Sequence, residues 1–262
     1  MYGIDVVSTA PIDWPRVRES GRTFAYLRSA YGRTVDPGFA TSWRAMRDAG
    51  IIRGAWQVLR HDEDPVEQAV QFLKVVQLQR GDLPPMLDLE RMATTSAAQV
   101  VAMVKTWASV VESELDARHG CAPRAIIRTS TRACPVRCEP NGFERHALWV
   151  IDPTRFDQPE VPRCWGSGEW TMHQYAIGKQ GIPGVGGTAQ LDRFHPVALG
   201  DRGRRVEQVK ELLREANFGF GVTETSELDE YTSKAITSFQ AARGLVQDGI
   251  VGPKTFAELH WP

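Results

Sequence analysis

Long apolar runs are missing from this 262-residue chain. No stretch approaches the roughly 18 residues that a membrane-spanning helix needs, so no membrane insertion is expected. A dominant charge is missing too. The chain has 31 Lys and Arg against 32 Asp and Glu, a formal net charge of -1. A nucleic-acid partner ordinarily shows as a basic excess, so none is expected. Cysteine is scarce: Cys121, Cys134, Cys138 and Cys164 are the full set. Cys134 and Cys138 are spaced like half of a metal site, but no second pair or His unit accompanies them, which argues against a four-ligand zinc site. Buried free thiols or a loop disulfide are the expectation, with three pairings open. No cofactor is indicated. A charged-then-apolar leader is also absent. Met1-Tyr2 runs directly into Gly3-Ile4-Asp5-Val6-Val7, which reads as a first core strand, so no signal peptide is expected in this chain.

What is present is an ordinary globular composition, 42% hydrophobic and 24% charged, with length for one large domain and one small one. Residues 1–200 alternate short apolar strands with amphipathic stretches. Strands are predicted at Tyr2–Val7, Phe24–Ser29, Gly54–Leu59, Pro85–Glu90, Arg124–Thr129 and Ala147–Ile151. Helices are predicted after Pro37, from Pro65 to Gln79, and from Ser96 to Arg118 with Gly120 as C-cap. Trp43 and Trp107 fall on the inward face of this periodicity and are expected in the core. Strand–helix alternation predicts a parallel sheet. After about residue 145 the helical pattern fades into short strands and Gly-rich turns such as Gly181-Ile182-Pro183-Gly184-Val185-Gly186-Gly187. The fold class is therefore an α/β barrel, regular at first and poorer in helices later. At Gly200-Asp201-Arg202-Gly203 a polar linker begins a second unit, 201–262, with three predicted helices and an all-α character.

One stretch carries chemistry. Pro84-Pro85-Met86-Leu87-Asp88-Leu89-Glu90 ends an apolar run with two carboxylates two residues apart. On a strand they share a face, roughly 6.6 Å apart, while Leu87 and Leu89 take the other. Like charges that close resist ionising together, and an acid beside a base is what glycosidic cleavage uses. Asp5 sits at another predicted strand end, and Asp192 ends the apolar stretch Ala189-Gln190-Leu191. The carboxyl ends of parallel barrel strands form the active face, so these four carboxylates could meet in one mouth.

The segments GIDVV at 3–7, IDWPRVRESGRTFAYLRSAYG at 12–32, AGIIRGAW at 49–56, PPMLDLE at 84–90, LWV at 148–150, WTMHQY at 170–175 and LDRF at 191–194 resemble, in order, the family 25 glycoside hydrolases, the Chalaropsis-type lysozymes. The resemblance implies an eight-stranded modified β/α barrel with fewer outer helices. It implies an N-acetylmuramidase that cuts the β-1,4 bond between N-acetylmuramic acid and N-acetylglucosamine. Glu90 then matches the general acid, and Asp5, Asp88 and Asp192 match the carboxylates that tune it, stabilise the oxocarbenium-like transition state and orient a water or the substrate's 2-acetamido group. Tyr31, Trp56, Gln57, Arg128, Trp170, Gln174 and Tyr175 fall on matching segments as substrate-binding candidates. Residues 203–260 are similar to the type 1 peptidoglycan-binding domain, chiefly through Gly244-Leu245-x-x-Asp248-Gly249-Ile250-Val251-Gly252-Pro253.

Departures from the family pattern concern the pocket walls. Members usually read G-A-Y-H-F where this chain has Gly54-Ala55-Trp56-Gln57-Val58, and a Tyr where it has Arg128. Asp152-Pro153 stands where an aromatic often follows the L-W strand. An altered glycan preference, in N-acylation or cross-linking, is one expectation. Arg128 is expected to pair with a substrate carboxylate or with one of the acidic residues, or else to lie in solvent on a shifted loop. The expected partner is bacterial peptidoglycan, met by a monomer in the periplasm or outside the cell after holin-dependent release or specialised secretion. Competing readings are a non-catalytic wall-binding barrel and a glycosidase for another N-acetylglucosamine polymer.

Overall fold

The computed structural model describes the chain apart from residues 91, 93, 94, 134–142, 144, 166–168 and 262. The Cys134–Cys138 spacing therefore lies outside the described residues. Cys121 is buried and forms no disulfide among them.

Among the described residues eight strands close into a barrel: β1 (Tyr2–Val6), β2 (Phe24–Tyr31), β4 (Ile52–Val58), β5 (Met86–Asp88), β6 (Ile126–Thr129), β7 (Ala147–Ile151), β8 (Met172–Lys179) and β9 (Ala189–Phe194). The short β3 (Thr34–Val35) hangs on β2 as a hairpin. Neighbours from β1 through β8 pair in parallel. β9 runs antiparallel to both β8 and β1 and closes the ring. The predicted strand at 85–90 is shorter than expected and ends at Asp88, so Glu90 stands in the turn beyond it. β8 and β9 escaped the strand prediction because their residues mix apolar with polar types and a Gly-rich hairpin joins them.

Alternation along the strands separates two cores. Phe24, Tyr26, Met86, Ile126, Trp149, Met172 and Phe194 fill the barrel. Ala25, Leu27, Ala55, Leu87, Ile127 and Val150 point outward, against α2 (Phe39–Asp48), α3 (Pro65–Val75) and α4 (Ala97–His119). Each Leu, Ile or Val side chain buried there contributes about 1.5–3 kcal/mol, and each Ala methyl correspondingly less. Gly54 has a packing reason: a Cβ there would lie 2.3 Å from the Tyr26 ring, which crosses the barrel to donate to Pro84 O at 2.9 Å. The helices are well started. Asp64 caps α3, and Ser96 with Gln99 forms a capping box on α4. A short α1 (Trp14–Glu19), capped by Asp13, went unpredicted because it offers only two buried apolar residues, Trp14 and Val17. Trp43 and Trp107 are both buried among the helices, as their spacing requires.

Beyond β7 no α-helix covers the barrel among the described residues until Arg204. On that side Tyr2, Phe156 and Tyr175 meet edge to face on the outer surface of β8, with centroids 6.1 and 5.0 Å apart.

The C-terminal helices α5 (Arg204–Glu215), α6 (Glu230–Ala242) and α7 (Pro253–Leu259) pack beneath the barrel, on the end where the parallel strands begin. Phe256 stacks edge-on against Phe194 at 5.3 Å, Trp261 donates to Asp82 O at 2.8 Å, and Arg124 pairs with Glu211 and Glu215. Glu169 of the barrel accepts from the Arg204 and Arg205 amides at 3.1 and 2.8 Å and so caps α5 across the boundary. Gly203, at φ +104°, is what lets that carboxylate approach, since a Cβ there would overlap it. The polar segment expected as a linker is thus a tight, bonded turn.

Candidate active site

A pocket of about 260 Å³ opens where the parallel strands end. Its walls come from inward positions of successive strands. β2 gives Arg28, β4 gives Trp56 and Val58, β5 gives Asp88, β6 gives Arg128, and β8 gives Gln174. Glu90 and Tyr31 stand at the rim.

The four carboxylates differ sharply in surroundings. Asp5 and Asp192 are fully buried and Asp88 nearly so, whereas Glu90 is exposed. Asp192 arrives by a route the sequence did not reveal. It lies in the middle of the antiparallel β9, opposite Gln174 on one side and Gly3 on the other, below the mouth and not at a strand end.

Arg128 organises the floor. Its guanidinium is 3.0 Å from Asp5 Oδ1 and 2.5 Å from Asp88 Oδ2, and Nη1 also donates to Gln174 Oε1 at 3.2 Å. Its carbon lies 4.2 Å from the centre of the Trp56 ring. The residue is 3% exposed. Burial works against its charge, but Asp88 and Asp5 outweigh that and raise its pKa. The alternative of Arg128 in solvent is therefore excluded, and its charge is satisfied within the protein. The expected repulsion between Asp88 and Glu90 is likewise altered, because Asp88 faces a cation. The other Asp88 oxygen, Oδ1, accepts from the Glu90 amide at 2.9 Å and fixes the turn that presents Glu90.

Asp5 and Asp192 form a coupled pair. Burial raises Asp5, with Arg128 opposing; burial and then the charge of Asp5 raise Asp192 well above the ordinary carboxylate range. Besides the Arg128 ion pair at Asp5, the side chains acting on them as hydrogen-bond partners are each other and, for Asp192, the Trp149 indole. Both shifts favour one proton held between the two carboxyls. A folded-state pKa above the reference value of 3.8 means that the native state holds the proton more tightly. Stability from Asp192 is then full in acid and declines as pH rises above about 4 toward the raised value. Asp192→Asn, neutral at every pH and still able to donate to Asp5, should flatten that decline. Urea midpoints from pH 4 to 8 will show it, and an unchanged slope would contradict the shared proton.

Three expected binding residues lie elsewhere. Gln57 points outward, where Nε2 donates to Gly32 O and Gln68 O at 2.7 and 2.9 Å, and Oε1 accepts from Trp107 Nε1 at 2.7 Å. It is a fully bonded strut under α3 and α4. Trp170 precedes β8 near the helical unit, tilted on His195 at 4.4 Å. Tyr175 follows a register shift in β8 and sits in the outer aromatic cluster. Trp56 does line the pocket, but one ring face carries Arg128, so it acts as a wall for the cation. Sequence reasoning missed Arg28 and Gln190. Both share the inward parity of residues already singled out, Arg28 with Phe24 and Tyr26, Gln190 with Asp192. Arg28 is held by a bidentate pair with Asp36.

A closed barrel whose parallel strands end around a pocket, with four carboxylates in and beneath it, defines a carboxylate-bearing β/α barrel. Residues 4–185 match the model of the glycosyl hydrolases family 25, more than half of the chain, and the chain belongs to that family. Residues 202–259 match a peptidoglycan binding domain. Among solved structures, a lysozyme from Streptomyces coelicolor is 27% identical, with a TM-score of 0.61 over 74% of this chain and 92% of that one. A family 25 glycosyl hydrolase from Bacillus anthracis, 20% identical with a TM-score of 0.62 over 74% of this chain and 88% of that one, shares the fold. The uncharacterized protein YegX of Escherichia coli K12 is 34% identical over 119 residues, 43% of this chain and 44% of YegX. The chain thus spans less than half the length of that curated relative.

Proposed function

We propose that the protein is a peptidoglycan hydrolase that cuts the β-1,4 bond between N-acetylmuramic acid and N-acetylglucosamine, with Glu90 as the proton donor. The observation that carries this is the division of labour in the carboxylate cluster. Glu90 is the exposed member at the pocket rim, while Asp5, Asp88 and Asp192 are buried beneath it. Glu90 protonates the glycosidic oxygen as the C1–O bond breaks. The buried negative charge below stabilises the oxocarbenium-like centre. Asp88 has one oxygen on Arg128 and the other on the Glu90 amide, and Asp192 lies below the floor. Asp88, the other carboxylate lining the pocket, has both oxygens engaged within the protein, which favours attack by the substrate's own 2-acetamido oxygen, with retention at C1. Water then opens the cyclic intermediate as Glu90 takes its proton back.

The helical unit is proposed to hold the enzyme on the wall. Its packing under the barrel floor keeps the mouth directed away from it, which raises local substrate concentration without touching the chemistry. Action is placed at the bacterial cell wall, in the periplasm or outside the cell.

The test is product identity. Purified peptidoglycan digested with the enzyme and then reduced with borohydride should yield muramitol ends on mass analysis. Glucosaminitol ends, or free amines without new reducing ends, would overturn the assignment.

A further inference from the structure

Gln174 and Arg128 together carry information about the substrate that neither carries alone. A guanidinium only donates hydrogen bonds. Its contact at 3.2 Å therefore fixes which end of the Gln174 amide faces it, namely the carbonyl oxygen. Arg128 is itself held by Asp5 and Asp88 and lies on Trp56. The amide cannot flip without turning its NH2 against a buried cation. The NH2 group is left toward the pocket that Gln174 lines, and it has no hydrogen bond to another described residue. The residue as a whole is 3% exposed, but its NH2 is open to the pocket, where a ligand's acceptor can take the place of solvent.

We propose that Gln174, oriented by Arg128, is the specificity-determining donor for the carbonyl oxygen of the sugar's 2-acetamido group. The inference rests on the hydrolase reading above and deepens it by naming the substrate group that the pocket reads. Arg128 is a positioning residue in this scheme, since it acts through Gln174. An acetamido group held by its carbonyl is also aimed for attack on C1, because the same oxygen is the internal nucleophile. The hydrogen bond must then lengthen or shift as the oxygen bonds to carbon, so its larger effect falls on binding and orientation, read in KM more than in kcat.

The experiment compares glycan strands that are fully N-acetylated with the same strands chemically de-N-acetylated, and with strands re-acylated by propionyl groups to restore a carbonyl without the ammonium charge. With Glu90→Gln in the background, so that turnover does not contribute, the protein should bind the acetylated strands about 10- to 100-fold more tightly in Kd by calorimetry, the scale of one donor left unmatched. Propionylation should recover most of that. Gln174→Met removes both ends of the amide, and Gln174→Glu keeps an acceptor for Arg128 while removing the donor. In that same background both should lose the binding preference for the acylated strands, and Gln174→Met, which adds no charge beside the three buried acids, should melt near the wild-type temperature. Retention of the wild-type preference by either variant would overturn the proposal. Because this ratio is read as Kd without turnover, it separates the two readings. If wild type releases no reducing ends, the hydrolase assignment falls, and the Kd ratio still decides whether Gln174 reads the acetamido group.

Discussion

Glu90→Gln is expected to lower reducing-end release from peptidoglycan by about 100- to 10,000-fold, the range over which a positioned general acid contributes. Glutamine keeps the size and polarity of the side chain but has no proton to give. The geometry allows a clean comparison. Glu90 is exposed and lies beyond the end of β5, and its contact with Asp88 is made by its main-chain amide, which the substitution leaves in place. The substitution also removes a charge that acts on Arg128 from the pocket rim, so stability should move by no more than about 1 kcal/mol. Reducing-sugar assays and thermal melts on the same preparations test both halves. Glu90→Asp sharpens the result. It retains an acid but withdraws it by one methylene, so it should recover part of the loss, because proton donation needs hydrogen-bond reach to the leaving oxygen. Undiminished release by Glu90→Gln would refute the acid assignment, while equal loss in activity and melting temperature would point to a structural role.

How much of this could be read from sequence depended on what each residue's surroundings are made of. The barrel was legible because inward and outward positions alternate along β2, β4, β5 and β6, and because α3 and α4 carry strong caps and helical spacing. The D-x-E pair was legible for the same reason. Parity places Asp88 inside with Met86, and Leu87 and Leu89 outside. The last strands were not legible. A hairpin of mixed polarity gives little periodic signal, and the antiparallel course of β9 decides that Asp192 enters from mid-strand. Gln57, Trp170 and Tyr175 show the converse failure. Each occupies a segment of family-like sequence, but one residue of strand parity, a position before the strand, or a register shift turns it from the pocket. The pairing of Arg128 with two buried acids is a fact of three dimensions. Asp5, Asp88 and Arg128 lie on three strands, and no local pattern records their distances.

Arg128→Met is expected to destabilise the fold by about 3–5 kcal/mol, the scale for breaking a buried ion pair from one side. Methionine fills much of the volume and can still lie on Trp56, so the effect isolates the lost charge. Asp5 and Asp88, 0% and 2% exposed, would then face each other and Asp192 without a cation. The pH dependence identifies the cause. Arg128 is the main influence that opposes burial at Asp5, so its removal raises the Asp5 pKa further above 3.8. A carboxyl raised in the folded state stabilises at low pH, and that contribution is lost as pH climbs past its unfolded value. The deficit of the variant should therefore be smallest near pH 4 and grow toward neutrality, measured as the urea midpoint against wild type. Asp5→Asn in the same background removes one of the stranded charges and should recover a substantial part of the loss at pH 7. A deficit equal at all pH values, with no recovery on adding Asp5→Asn, would mean that Arg128 matters for packing alone. If the recovery appears, the unusual arginine of this pocket is a counter-ion: three buried acids can stay beneath the proton donor because one cation lies among them.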